Sequence, residues 1–164
     1  MVSSSRFIFA FMLIFWLLAG CGFHLRGDFV LPDSISSLHI QAPGHLANEL
    51  VILLESSGIV VASVAKDADA ILRVEQESYD KRTLSVDSES GKEREHELAY
   101  TISYRILKAD GKELMPRQTI NLARDYVFDE SAVLGTSQEE SILRQEMRQD
   151  AARQILRRLA AWSL

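Results

Sequence analysis

Between Glu97 and Ile106, apolar and polar positions alternate without a break. Every second residue is polar or small, and the residues between them are Leu98, Tyr100, Ile102, Tyr104 and Ile106. Side chains of a strand point alternately to the two faces of its sheet, so this pattern predicts one covered face and one face in contact with water. At strand spacing the tyrosines are predicted to be core residues rather than an aromatic binding strip.

Two amphipathic helices are predicted on either side of this strand in the chain. Leucines at helical spacing indicate a helix over His45–Ser57, and Gly58 follows it as the C′ residue. Ser137 and Glu140 have the spacing of a capping box at the start of the last helix. The apolar stripe of that helix consists of Leu143, Met147, Ala151, Ile155, Leu159 and Trp162.

Three further strands are predicted by alternation and by the turns that separate them. They cover Ile35–Gln41, Ala70–Val86 and the region from Ile120 to Phe128. The polar segment Asp87–Lys92 forms one hairpin loop, and Asp110-Gly111, a dipeptide that accepts positive φ, forms the next.

The predicted order is therefore strand, helix, strand, strand, strand, helix. The first strand–helix–strand unit predicts a parallel crossover, and the later strands predict an antiparallel meander. The expected fold is α+β, with two helices packed on one face of a four-stranded mixed sheet. Pro116 indicates an edge strand or a bulge. The opposite face is expected to stay polar, with Thr101, Ser103, Arg105, Thr119 and Asn121.

The N-terminus has the features of an export signal. Phe7–Leu18 is a run of twelve apolar residues after a start that carries Arg6, and a bilayer-spanning helix needs about 20. The following Leu18-Ala19-Gly20-Cys21 resembles the lipobox of bacterial lipoproteins, which implies a diacylglycerol on the Cys21 thiol and an acyl group on its new amino terminus. The alternatives are an ordinary signal peptide before a chance cysteine, or a buried N-terminal helix.

These features divide the chain into a lipoprotein signal peptide over residues 1–20, a lipidated tether over 21–34 and a single α+β domain over 35–164. The 144 residues after Gly20 hold 17 basic and 23 acidic residues, a net charge of −6. An acidic domain of this kind binds nucleic acid poorly, so no nucleic-acid partner is expected.

The sequence contains no motif that indicates catalysis or metal binding. Its one cysteine excludes an intramolecular disulfide and a multi-thiolate zinc site. None of the four histidines has metal-ligand spacing, and neither a nucleophile elbow nor a glycine-rich phosphate loop is present. We therefore expect no enzyme activity, no metal and no cofactor apart from the covalent lipid on Cys21.

Four basic residues lie on both sides of the Asp87–Lys92 loop. Lys81 and Arg82 precede it, and Lys92 and Arg94 lie at its end and just beyond it. Such a cluster could bind a phosphate group. The alternative is a solvated hairpin of mixed charge, because the same region carries Asp80, Asp87, Glu89, Glu93 and Glu95.

The segment Cys21–Gly27 (CGFHLRG), followed closely by Leu31-Pro32, resembles the start of mature lipopolysaccharide (LPS)-assembly lipoproteins of the LptE family. The order of predicted elements agrees with that family. The resemblance implies a periplasm-facing outer-membrane lipoprotein that plugs the lumen of the β-barrel LptD, supports its assembly and helps deliver LPS to the outer leaflet. It also implies LPS binding near the hairpin, by Lys92 and Arg94 first and by Lys81 and Arg82 behind them.

One departure from the family concerns the segment before the last helix. Relatives can carry a basic residue there, whereas Leu134–Gln138 contains none, so a second basic ligand site is not indicated. The alternative function is that of an accessory lipoprotein, either a pilotin or a phospholipid-transport component of another envelope complex. An envelope hydrolase is the least favoured alternative because no catalytic motif supports it.

Overall fold

In the part of the chain that the structure describes, the fold consists of five strands, two α-helices and one short 3₁₀ turn. A computed structural model describes residues 35–128 and 133–162. The predicted signal peptide, the tether and Cys21 lie outside the described residues. The elements are β1 (Ser37–Gln41), α1 (Gly44–Ser56), β2 (Val60–Val61), the 3₁₀ turn (Ala65–Asp67), β3 (Ala70–Val86), β4 (Glu93–Leu107), β5 (Glu113–Val127) and α2 (Val133–Ala161).

The strands form one mixed sheet in the order β2-β1-β3-β4-β5. Strand β1 is parallel to both β2 and β3, whereas β3, β4 and β5 form the predicted antiparallel meander. The α+β class is confirmed, but the prediction of four strands is wrong because β2 adds a fifth. Its two residues, Val60 and Val61, pair with Ser37 and Leu38, and a strand that short shows no alternation in the sequence.

The predicted turns are present at the end of α1 and between the long strands. Gly58 follows α1 with φ 76°, and the backbone N–H groups of Gly58 and Ile59 donate to the carbonyls of Glu55 and Leu54. This C-terminal motif requires the left-handed conformation that glycine adopts without a Cβ clash. Gly111 adopts the same left-handed conformation in the β4–β5 turn, with φ 86°.

The start of the last helix differs from the prediction. Helix α2 begins at Val133, so Ser137 is its fifth residue and does not act as an N-cap. The segment Leu134–Gln138, expected to precede the helix, is helical. The Glu140 carboxylate does not fold back to form a capping box, because Arg144 and two residues of the sheet donate hydrogen bonds to it.

One hydrophobic core joins the two helices to the same face of the sheet. The alternating β4 residues from Leu98 to Ile106 are all buried, as are Leu46, Leu50 and Leu54 of α1. Helix α2 contributes Met147, Ala151, Ala152, Ile155, Leu156 and Leu159. Tyr100 is 1 % exposed and its hydroxyl donates to Glu77 at 2.6 Å. The assignment of both tyrosines to the core is confirmed.

The opposite face of the sheet is polar, as predicted. Thr101 hydrogen-bonds to Asn121 at 3.1 Å, and Ser103 to Thr119 at the same distance. Arg105 contacts Glu75 and Glu113 on the neighbouring strands. Within residues 35–128 and 133–162, no helix combines the length and the apolar character needed to cross a membrane.

Candidate functional site

The β3–β4 loop is organised around Asp87. Its carboxylate accepts hydrogen bonds from the backbone N–H groups of Ser90 (2.9 Å) and Glu89 (3.1 Å) and from the Ser90 hydroxyl. Arg94 Nε donates to the same carboxylate at 3.0 Å. The Ser90 N–H and then the Arg94 guanidinium hold the pKa of Asp87 well below its usual range. The loop therefore presents Arg94 as one half of an ion pair.

The four predicted cations fall into three separate places. Lys92 lies in the exposed loop at the tip of the hairpin, two residues before Arg94 in the chain. Arg82 Nε lies 2.7 Å from Glu97 Oε1, in a pair whose arginine side chain is 69 % exposed. Lys81 is directed toward α2, where Nζ contacts Glu140 at 3.2 Å. Adjacent strand residues point to opposite faces, so Lys81 and Arg82 lie on opposite faces of β3. Each pairs with a carboxylate of another element, whereas Arg94 pairs with Asp87 in the loop, so the four cations do not form one cluster.

Lys81 belongs instead to a charged network between β3, β5 and α2. Glu140 accepts hydrogen bonds from the Tyr126 hydroxyl at 2.9 Å and from Arg144 at 3.0 Å (Nε) and 2.7 Å (Nη2). Burial opposes ionisation of Glu140, but the bonds from Arg144, Tyr126 and Lys81 outweigh it and lower its pKa to about 2. The single Glu140 carboxylate thus pairs with two cations, Lys81 and Arg144, which leaves a net charge of +1 on these three groups.

A cleft of about 390 Å³ opens beside this network. Its walls combine two cations, one carboxylate, three hydroxyl groups and one aromatic ring, and the lining residues are Lys81, Phe128, Thr136, Ser137, Glu140, Ser141 and Arg144. Such a cleft can hold an anionic group that competes with Glu140 for the two cations. The sequence offered one signal for Arg144, namely its i,i+4 spacing from Glu140, but the contact with Lys81 spans 59 positions.

Glu140→Gln is expected to lower the free energy of unfolding at neutral pH by about 1–3 kcal/mol, because two cations lose a charged partner. The pKa of Glu140 is depressed in the folded state, so its stabilising effect is present above pH 4.5 and is lost as the pH falls to about 2. Urea titrations at several pH values measure both effects. The exposed neighbour Glu139→Gln is the control. Equal acid sensitivity of Glu140→Gln and the wild type would contradict this role.

The structure offers no sign of a metal centre in the ranges 35–128 and 133–162. No three His, Cys, Asp or Glu side chains come together there as metal ligands. Among the described histidines the most buried is His96, which is 3 % exposed and packs against Phe128 with ring centroids 4.6 Å apart. Its Nε2 lies 3.0 Å from the Glu93 carboxylate. The imidazole is therefore a hydrogen-bonded group near the loop end of the β3–β4 hairpin.

Comparison with known families gives a match over most of the described chain. The family model for LptE, described as lipopolysaccharide-assembly, matches residues 35–159. The chain belongs to the LptE family. The family is non-enzymatic, which confirms that the chain is not an enzyme, and its members are lipoproteins. The match begins at Ile35, so the lipid on Cys21 remains a prediction.

Individual LptE relatives and solved structures agree with this assignment. The LPS-assembly lipoprotein LptE of Pectobacterium atrosepticum is 31% identical over 145 residues, which cover 86% of this chain and 77% of the relative. Lipoprotein B from Nitrosomonas europaea, solved by NMR, is 35% identical with a TM-score of 0.71, over 85% of this chain and 91% of that one. Rare lipoprotein B from Shewanella oneidensis is 28% identical with a TM-score of 0.66, over 76% and 94%.

Proposed function

We propose that this protein is an outer-membrane lipoprotein that assists LPS assembly. In this proposal it occupies the lumen of an LptD-like β-barrel, supports assembly of that barrel and helps deliver LPS to the outer leaflet. The observation that carries the proposal is the LptE family match over residues 35–159. The name of the relatives, LPS-assembly lipoprotein, gives the process in which we place the chain.

The surface of the domain suits a water-filled lumen. The face of the sheet opposite the helices carries hydrogen-bonded polar pairs such as Thr101–Asn121 and Ser103–Thr119. A plug with this surface stays soluble before it meets its partner and is compatible with the polar interior of a large barrel. The proposed anchor is a lipidated Cys21, joined to β1 by the tether over residues 21–34. Three acyl chains hold a protein at a membrane far more firmly than one.

Affinity purification of the full chain from outer membranes tests the choice of partner. An LptD-like barrel should be recovered in stable association with the protein, together with LPS. Recovery of a secretin or of an ABC-transporter component in place of the barrel would instead support the alternative, an accessory lipoprotein for another envelope complex.

For the ligand we propose contact through Lys92 and Arg94 at the hairpin tip, with Arg82 and Lys81 as further contacts. Lys92→Glu combined with Arg94→Glu should weaken LPS binding about tenfold or more and leave the fold intact, because a charge-assisted contact contributes about 1.5–3 kcal/mol. Binding of labelled LPS to the purified full chain measures the effect.

The β4–β5 turn supplies a matched control for this double variant. Lys108 and Lys112 are exposed and lie at the other end of β4. Lys108→Glu combined with Lys112→Glu changes the net charge by the same amount and should leave binding unchanged. If Lys92→Glu/Arg94→Glu binds LPS as the wild type does, or if both double variants lose binding equally, the hairpin tip is not the ligand site.

A further inference from the structure

Strand β5 forms an edge of the sheet along its whole length. It spans Glu113–Val127, and in the part of the chain that the structure describes its strand neighbour is β4 alone. A long edge strand presents a row of backbone N–H and C=O groups that can pair with another chain. The predicted edge position of Pro116 is confirmed, and a register shift lies beside it between Tyr104 and Ile106 of β4.

The register identifies the residues of β5 whose backbone N–H and C=O groups point away from β4. The Phe128 N–H donates to the Arg94 carbonyl at 2.8 Å, across the side shared with β4. The pairing is regular from Glu95–Val127 to Ser103–Thr119. Backbone groups alternate in direction along a strand, so even-numbered residues face β4. The outward-facing residues are therefore Thr119, Asn121, Ala123 and Asp125.

Arginine side chains occupy two of these outward carbonyls. Arg158 Nη1 donates to the Thr119 carbonyl at 3.0 Å, and Arg124 Nη1 donates to the Ala123 carbonyl at 2.9 Å. Arg124 is held in place by Asp150 of α2, with Nη2 and Oδ2 2.7 Å apart. The helix thus places one guanidinium directly on the edge and fixes a second one there.

The same edge is complementary to itself. If two copies pair antiparallel with Asn121 opposite Asn121, Thr119 of one copy lies opposite Ala123 of the other. Arg117 then lies opposite Asp125 of the second copy at both ends of the paired segment. Its guanidinium contacts Glu75 (3.8 Å) and Gln76 (3.3 Å) of β3, but the side chain is half exposed, so it can turn to the facing carboxylate. The backbone groups of Thr119, Asn121, Ala123 and Asp125 point away from β4, and Arg117 lies at the end of the segment. Pairing across a two-fold axis requires such outward-pointing backbone groups.

We propose that the outer edge of β5 is a pairing surface for a second copy of this chain, and that Arg124 and Arg158 keep it closed. While the two guanidinium groups occupy the carbonyls of Ala123 and Thr119, a second strand cannot bond there. Removing them frees both carbonyls and leaves the complementary Arg117 and Asp125 in place. This inference is independent of the proposed role in LPS assembly.

Disulfide trapping on the full chain, purified in detergent, tests the pairing and its register. Asn121→Cys is introduced into the wild type and into the Arg124→Ala/Arg158→Ala variant. Directly opposed Cα atoms in an antiparallel pair lie about 4.5–5.5 Å apart, within the range that a disulfide spans. Ala123→Cys is the matched control on the same edge, because Ala123 is exposed and in this register lies opposite Thr119 and not opposite itself.

We expect an Asn121→Cys dimer on non-reducing gels in the arginine variant, little in the wild-type background and little with Ala123→Cys. The parent chain with Cys21 alone sets the background. Arg158→Ala by itself keeps the Arg124–Asp150 ion pair and should give a weaker dimer band. This single variant provides the test if the double variant does not fold. Absence of the dimer in folded arginine variants, or equal cross-linking by Ala123→Cys, would overturn the proposal.

Discussion

Ala151→Asp is expected to unfold the domain. Ala151 is fully buried where α2 packs on the sheet, and it belongs to the core that both helices share. A carboxylate at this position is larger than the methyl group that it replaces and would lie in a cluster of apolar side chains. Burying an unpaired charge costs more than about 4 kcal/mol, a large part of the 5–15 kcal/mol that typically stabilises a domain.

Circular dichroism and urea unfolding of the full chain measure this loss. Gln145→Asp is the control, since Gln145 is exposed on the same helix six positions earlier and should change the free energy of unfolding by about 0.5 kcal/mol or less. A cooperative unfolding transition of Ala151→Asp near that of the wild type would contradict the packing of α2 on the sheet.

Cys21→Ser is expected to abolish acylation and, with it, attachment of the mature protein to the outer membrane. A cysteine thiol is a far better nucleophile than a hydroxyl group, so serine cannot accept the diacylglycerol. Labelled palmitate should enter the wild type and be missing from the variant, and the variant should fail to support LPS assembly. Mass spectrometry of the N-terminal peptide gives the same information directly.

His24→Ala is the control for this change, because it lies three residues away and retains the thiol. It should be acylated as the wild type is. An unmodified Cys21 thiol in the wild-type protein, or a Cys21→Ser variant that still resides in the outer membrane as a lipoprotein, would remove the anchor from the proposal.

The long strands could be predicted from the sequence because their signal is local. The predicted Ala70–Val86 coincides with β3, and the alternation from Leu98 to Ile106 marks the buried face of β4. Strand β2 escaped prediction because two residues cannot display a period. The early start of α2 was missed because Glu140, which suits a capping box locally, forms its bonds with Lys81 and Tyr126 from distant strands.

The candidate site could be predicted only as a set of charges. The sequence indicated which basic residues lie near the hairpin, but the carboxylates that hold them come from other elements. Arg82 pairs with Glu97 across the β3–β4 ladder, and Lys81 meets Glu140 through the packing of α2. Long-range packing therefore decides which basic side chains lie at the hairpin tip. The periodicity of the sequence does not predict such contacts.

Depletion of the protein from cells tests its role in LPS assembly most directly. As the protein is lost, LPS on the cell surface and the amount of mature LptD-like barrel in the outer membrane should fall together, and the wild-type gene supplied in trans should restore both. Surface LPS and mature barrel that both stay at normal levels in fully depleted cells would contradict the proposed function.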